Sequence, residues 1–539
     1  MKKKSLAILF IALSILVIGL FFGMENHSVP TYVEQFSSLC IEDADSIRSG
    51  KDRTNSLKAD LSFNGVQLFY DRKDNNFFYS LQEGNSFAYD PLVMWQSSNI
   101  KVAFEGNGIN DETIKNNETN TIILYNDKQY SEYKLTCTTL PIINIDIFED
   151  DFGSNYSDCI FTIFDNRSGD DGKCEQYEGK VRIRGGSTGD LPKPGLRIEL
   201  DSVLKGDNNK DEKKYDLFGL EPDNEYVIYT SNVEKDFVRN VFSTNLWYDT
   251  CADDNAYGLK LGMSYKYVEL FKNGEYWGLC AIGNPISKKR GYVDLDPKSD
   301  KYPLENIYKC NFVGYEELLD IEKHNTHNSF FSKTNEDING SREPLYEYLK
   351  TIIYSKDYDE LINSADMDNA IDIFLFYNLV QGWDNSWLEE GKVKLRNTYL
   401  ISKICDHGTQ ILFVPWDLDH TWGFESGDDP NNSMNYTINY DVLVNPVDKL
   451  ILYGHETIKD DVLNKYRQLR ENQWSDEAIM NMLDEYEKDV CFSGAFIRDG
   501  LRWPNNVHDE ENDLELFKEY VMNRIHYFDE YIETKMTSE

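Results

Sequence analysis

Apolar and polar positions alternate through the first part of this chain and change to three-and-four spacing towards its end. Before the alternation comes an apolar run, Leu6 to Phe22, broken only by Ser14 and Gly19 and preceded by Lys2, Lys3 and Lys4. It exceeds the roughly 7–15 residues of a signal-peptide core, and no small-x-small cleavage site follows. The pattern predicts a signal anchor over 1–24, with the lysines in the cytoplasm and everything from Glu25 outside; cleavage would make the protein secreted. Residues 25–57 are polar and mixed, a stalk or the first edge of the next domain. Alternation at Ala59-Leu61-Phe63 and Val66-Leu68-Tyr70, a polar turn at Asp71 to Asn75, and strands at Ile122 to Tyr125 and Tyr130 to Cys137 predict a small all-β sandwich over 58–139. Such a module suits interaction or spacing better than catalysis.

From Leu140 the texture changes. Strands are predicted at Pro141 to Ile145, Gly179 to Ile183 and Gly195 to Leu200. The clearest hairpin is Val268 to Phe271, an Asn273-Gly274 turn, and Tyr276 to Ile282. Helices take over after about residue 310. Ile371, Phe374, Leu375, Asn378 and Leu379 place a helix over Met367 to Gly382, with Asp366 as cap and Gly382 as stop. Further helices are predicted near 456–472, 475–491 and 512–533. The fold class is therefore α+β, with 140–539 as one domain whose C-terminal part is helical.

Charge narrows the choice of partners. The 539 residues carry 55 Lys+Arg against 94 Asp+Glu, a formal net charge of −39. Such a field repels nucleic-acid phosphates and argues against nucleic acid as a partner, while suiting a cationic protein or simple solubility. Nine cysteines without C-x-x-C spacing give a zinc site little support. In an exported chain, Cys159 and Cys174 are a candidate disulfide around Asp165 to Lys173, and the odd count leaves a thiol over.

Candidate chemistry concentrates in 381–423. A helix ends, Asp384 follows, and a hairpin carries Asn397 on one arm and Asp417 and Asp419 beyond the other. Three carboxylates and an amide at one end of a hairpin suit a hard cation such as Mg²⁺ with substrate phosphates. The order acid, amide, hairpin, acid is that of a kinase-type phosphoryl-transfer site. A second segment, Arg182-Ile-Arg184-Gly-Gly-Ser-Thr through Lys193 to Arg197, gathers cations around a Gly/Ser/Thr turn that can hold phosphate. The alternative assigns Asp406 and Asp417 to turns, Trp383, Trp387, Trp416 and Trp422 to the core, and the basic hairpin to pairing with the chain's own acids.

These residues carry a resemblance. Thr139-Leu-Pro, Arg184-Gly-Gly-Ser-Thr with Pro192-Lys193, Phe218-Gly-Leu-Glu-Pro-Asp-Asn-Glu, Val238-Arg-Asn, Val268-Glu-Leu-Phe-Lys-Asn-Gly-Glu-Tyr-Trp-Gly, Gly382-Trp-Asp-Asn and Val414-Pro-Trp-Asp-Leu-Asp occur in that order. From about Leu140 to Trp503 the chain resembles the spore coat protein H (CotH) kinase family. The resemblance implies an atypical protein-kinase-like domain that uses ATP with Mg²⁺ or Mn²⁺ to phosphorylate Ser residues of exported coat or surface proteins. It implies Asp384 as catalytic base, Asn397 and Asp417 as metal ligands with Asp419 as the alternative ligand, and Lys193 with Arg184 as phosphate contacts. Two positions depart from the family. Gly283-Asn284 stands where Thr-Glu is usual, and the basic pair after the proline is reduced to Lys193-Pro194. Loss of that glutamate points to the competing expectation, a weakened kinase or a pseudokinase scaffold that binds a coat or surface protein. A third, glycan hydrolysis by paired carboxylates, rests on the same acids and the supply of aromatics.

Overall fold

The computed structural model describes residues 30–537 apart from 42–43, 84–86, 150–151, 168–171, 204–213, 232–233, 235, 311–312, 315–329, 333–340, 383, 390–391, 424–444 and 505–513. The Leu6 to Phe22 run and Trp383 lie outside the described residues, and no described helix is long and apolar enough to cross a membrane.

The alternating residues of the first domain build two facing sheets. One has the strand order Thr31–Gln35, Leu92–Gln96, Asp60–Phe63, Val66–Gln67. The other runs Phe69–Asp71, Asn76–Ser80, Gln129–Thr138, Asn120–Tyr125, Lys101–Glu105. Leu61, Phe63, Val93 and Trp95 from the first meet Tyr79, Ile122, Leu124 and Leu135 from the second in one core. The ring of Phe63 stands edge-on to Tyr79 at 5.0 Å, the geometry favoured by the ring quadrupole. Residues 31–53 are part of this domain rather than a stalk. Thr31–Gln35 pairs with Leu92–Gln96, Asp52–Arg53 pairs with the Gln129–Thr138 strand, and Phe36 and Leu39 are buried. Short polar strands leave little trace in sequence because only Phe36, Leu39, Ala44 and Ile47 of the segment are buried apolar residues.

The next seven strands close into a barrel, in the order Ile142–Ile147, Ser157–Asp165, Lys173–Arg184, Gly195–Val203, Glu225–Tyr229, Glu275–Gly283, Tyr265–Lys272. A parallel pairing of Ile142 with Glu269 joins last to first, and Ile145, Phe161, Val181, Ile198, Tyr226, Val268 and Ile282 fill the interior. At Asn273-Gly274, φ values of 53° and 69° give the twist-matched two-residue turn expected from the sequence. Gly179 sits at a register shift where a Cβ would fall 2.1 Å from the Glu199 carbonyl oxygen, so only glycine fits. The expected Cys159–Cys174 bond is overturned: both thiols are free. Cys159 faces Gly179 and Cys174 faces Phe164, five rungs or about 17 Å apart, beyond a disulfide's reach.

The helix Arg239–Thr250 crosses from the barrel into the helical half. There Met367–Val380 is buried on every side from Asn369 onward, the place for a helix this rich in apolar residues. It packs against the hairpin Thr398–Cys405/Gly408–Pro415. Helices Pro446–Leu452, Glu456–Glu471, Asp476–Glu487, Ala495–Arg502 and Glu515–Thr537 enclose them. The α+β expectation therefore holds.

The halves are joined at the 265–283 hairpin. Phe78 of the first domain packs on Phe271 at 5.0 Å and Tyr276 at 5.1 Å. Arg498 reaches the same place from Ala495–Arg502, paired with buried Glu269, bonded to the Ser493 carbonyl at 2.8 Å and to Asn117 Oδ1 of the first domain at 3.0 Å. Arg498→Ala strands a buried carboxylate and should cost about 3–5 kcal/mol. Arg467→Ala, which breaks the exposed pair with Glu533, should leave stability nearly unchanged. Urea midpoints of the two variants check the contrast.

Candidate functional site

The site begins where the Met367–Val380 helix ends. Asp366 caps its start, accepting from the Asn369 N–H at 3.1 Å. At the other end Gln381, not the expected Gly382, takes the left-handed conformation, φ 58°. A hydrogen bond from the Tyr520 hydroxyl to Gln381 Oε1 (2.7 Å) holds the reversal. Gly382 instead provides room: a Cβ there would stand 3.0 Å from the Tyr377 ring.

Asp384 follows, 5 % exposed. Its Oδ1 accepts from Arg396 Nη1 at 2.8 Å and its Oδ2 from Asn397 Nδ2 at 2.9 Å. The hairpin ladder ends at the rung Thr398–Pro415, and immediately beyond it Asn397 and Asp417 adopt φ of 50° and 58°. Left-handed backbone at such residues costs free energy and tends to gather at functional sites. The Trp416 N–H donates to the Asn397 carbonyl at 3.0 Å.

Asp419 lies two residues on. Burial, then the charge of Asp417, then that of Asp384 hold its carboxyl well above the usual carboxylate range. The loop carrying it is docked on Arg239–Thr250: the Leu418 N–H donates to Asn240 Oδ1 at 2.9 Å, and Arg239 Nη1 to the carbonyls of Thr421 (3.1 Å) and Trp422 (2.7 Å). Thus Asp384, Asn397, Asp417 and Asp419, expected from sequence, are brought to one place.

Sequence reasoning missed two more acids. Glu234 is fully buried, accepts from the Tyr229 hydroxyl and from the Asn240 N–H, and is raised well above its usual range by burial, by Asp236 and by Asp419. Asp236 accepts from the Val238 N–H at 3.0 Å and from Arg239 Nε at 2.8 Å. Nothing in their spacing marks them, because the barrel closure that brings them in is invisible in local pattern. Arg396 and Asn385 were also missed, although each adjoins a residue that was named.

The two expected phosphate contacts part company. Arg184 is half-buried, its guanidinium 5.3 Å from the Trp416 ring centre and within reach of the Tyr265 hydroxyl. Lys193 is fully buried, paired with Asp499 and donating to the Leu279 carbonyl at 2.6 Å. The reason is a gap in the barrel wall. Strand Glu225–Tyr229 stops opposite Ala281, leaving the Leu279 peptide groups without a strand on that side. Lys193 takes the carbonyl, and Asp499 accepts from the Leu279 N–H at 2.9 Å. Asn284, at the departure from the family pattern, is buried and donates to the Glu221 carbonyl at 2.9 Å.

The sequence profile of the family described as CotH kinase protein matches residues 181–528, most of the chain. The chain belongs to the CotH kinase family. Comparison with curated proteins finds no match. The CotH match begins in the third barrel strand and runs into the last helix, so it spans the whole cluster and leaves the first domain outside. Family membership makes the function kinase-like.

Among the described residues no three His, Cys, Asp or Glu side chains stand as a ready metal cage. The donor chemistry of this CotH site fits a divalent cation shared with phosphates: Mg²⁺ usually takes one or two carboxylates and completes its shell from phosphate and water, and Asp417 and Asp419 repel one another. With its pKa raised, Asp419 keeps a proton in the folded state that the unfolded chain releases, so stability falls as pH rises from the ordinary carboxylate range through the folded value. In chelator, melting temperature should therefore drop more steeply from pH 5 to 8 in the wild type than in Asp419→Asn, Glu234 supplying part of the remaining slope. Mg²⁺ should restore only the wild type. Equal slopes would contradict the assignment.

Proposed function

We propose that this chain transfers the γ-phosphoryl group of ATP to a serine hydroxyl of an exported coat or surface protein, acting outside the cytoplasm from its N-terminal membrane anchor. The observation that carries this is the buried Asp384, both oxygens fixed by Arg396 and Asn397, beside the mutually repelling Asp417 and Asp419. A carboxylate oxygen can accept more than one hydrogen bond, so Asp384 can orient a hydroxyl while Arg396 and Asn397 hold it. As the serine oxygen bonds to the γ-phosphorus, the bond from phosphorus to the bridging oxygen breaks, ADP departs, and the hydroxyl proton passes to Asp384. Arg184 offsets charge on the phosphates, with the Trp416 face holding its plane. Mg²⁺ or Mn²⁺, when bound through Asp417, Asp419 and Asn397, supplies charge neutralisation at the transferring group.

One observation favours the scaffold alternative. Lys193 is enclosed in the barrel wall, and a phosphate reaches it only if the pair with Asp499 opens. In the kinase reading Lys193 supports the wall and Arg184 is the phosphate contact.

With γ-labelled ATP, Mg²⁺ or Mn²⁺, and a serine-rich acceptor protein, Asp384→Asn should lower kcat by about 10²–10⁴-fold and leave KM for ATP nearly unchanged. Absence of label transfer by the wild type, with no thermal stabilisation by millimolar ATP and metal, would favour the scaffold.

A further inference from the structure

Asn385 contacts three separate parts of the site and has been given no role. It is 1 % exposed. Its Nδ2 donates to the Asn397 carbonyl at 2.8 Å and to the Trp416 carbonyl at 3.0 Å, while its own carbonyl accepts from the Arg396 N–H at 3.1 Å. Its Oδ1 has no partner among the described residues, and the opposite orientation of the amide would set that oxygen against two carbonyl oxygens. The orientation is therefore fixed by chemistry.

The position of these bonds matters more than their number. Pairing of the hairpin stops at Thr398–Pro415; beyond it the Trp416 N–H still bonds the Asn397 carbonyl, where Asn385 adds a second donor, while the Trp416 carbonyl leading into Asp417 is bonded by Asn385. The Trp416 carbonyl and the Asp417 N–H share one peptide plane. Holding that carbonyl sets the φ of Asp417, and holding the Asn397 carbonyl sets the ψ of Asn397. Both residues are left-handed, φ 50° and 58°, a state the chain leaves when nothing restrains it. The Arg396 N–H bond fixes the start of the residue whose guanidinium holds Asp384. Asn385 thus governs the backbone under each of the three groups while touching none of the reacting atoms itself.

We infer that Asn385 is the positioning residue of the phosphoryl-transfer site, a two-donor clamp that holds Asn397 and Asp417 in the conformation needed to take the cation and its phosphate. The inference rests on the proposed kinase reading. Two N–H donors on one nitrogen are required: serine offers one donor, alanine none, and aspartate places charge against the carbonyls.

Asn369 provides the comparison. It is equally buried and clamps the same Gly408–Pro415 strand, donating to the Phe413 carbonyl at 3.2 Å and accepting from the Phe413 N–H at 2.6 Å, but away from the strand end that carries Asp417. Asn385→Ser, Asn385→Ala and Asn369→Ser should be measured for melting temperature, kcat, KM for ATP and the Mg²⁺ concentration giving half-maximal rate. The Asn385 variants should lose about 100-fold in kcat and need about tenfold more Mg²⁺, with KM for ATP changed far less. Asn369→Ser should lose comparable melting temperature and keep kcat within about threefold. If kcat falls in parallel with melting temperature in both series, and the Mg²⁺ requirement does not move, the clamp is only structural and the inference is overturned. Wild-type protein that neither transfers phosphate nor is stabilised by ATP with Mg²⁺ overturns the kinase reading first, and the inference with it.

Discussion

Carboxylates buried side by side repel one another, and this chain places Asp384, Asp417, Asp419, Glu234 and Asp236 around one point where barrel, crossing helix and hairpin meet. The surrounding structure is arranged to hold them there. Arg396 and Asn397 fix Asp384, Tyr229 and the Asn240 N–H fix Glu234, and Arg239 fixes Asp236 while its other nitrogen binds the loop of Asp419. Asp419 stays strained in the electrostatic sense, shifted by burial and by two like charges. Like-charge clusters of this kind gather at functional sites, and a bound cation would relieve the repulsion.

The barrel wall explains why a basic segment that reads as a phosphate site has two fates. Arg184 ends its strand over the Trp416 ring. Lys193, nine residues later in a loop that doubles back, closes the gap left by the short strand Glu225–Tyr229, together with Asp499 from the helical half. A buried pair of this kind adds little net stability against an apolar replacement, but losing one member is expensive. Lys193 therefore has a carboxylate partner despite Asn284 at the family's glutamate position. That partner comes from the C-terminal helices, so the barrel and the helical half depend on each other for the integrity of this wall.

Much of this was legible in the sequence where period and turn chemistry are local. Alternation gave the two-sheet first domain, Asn273-Gly274 its hairpin, and the three-and-four spacing of Ile371, Phe374 and Leu375 the central helix. The cluster of Asp384, Asn397, Asp417 and Asp419 was legible because one helix end and one hairpin carry all four. What failed was long-range. Closure of the barrel through Ile142 and Glu269 has no local signature, so Glu234 and Asp236 went unseen, and register alone separated Cys159 from Cys174. For Lys193, expected as a phosphate contact with self-pairing to the chain's acids as the alternative, only tertiary structure reveals the pair with Asp499, because it forms where a strand stops short.

The central claim is that the acids at the hairpin end form a cation-dependent nucleotide site. Isothermal titration of the chain from Glu25 to Glu539 with ATP, in Mg²⁺ and in chelator, tests it most directly alongside Asp417→Ala. The account predicts one ATP bound per chain in Mg²⁺, and none in chelator or in the variant. Equal binding with and without the cation, or no binding at millimolar ATP by a folded wild type, would contradict it.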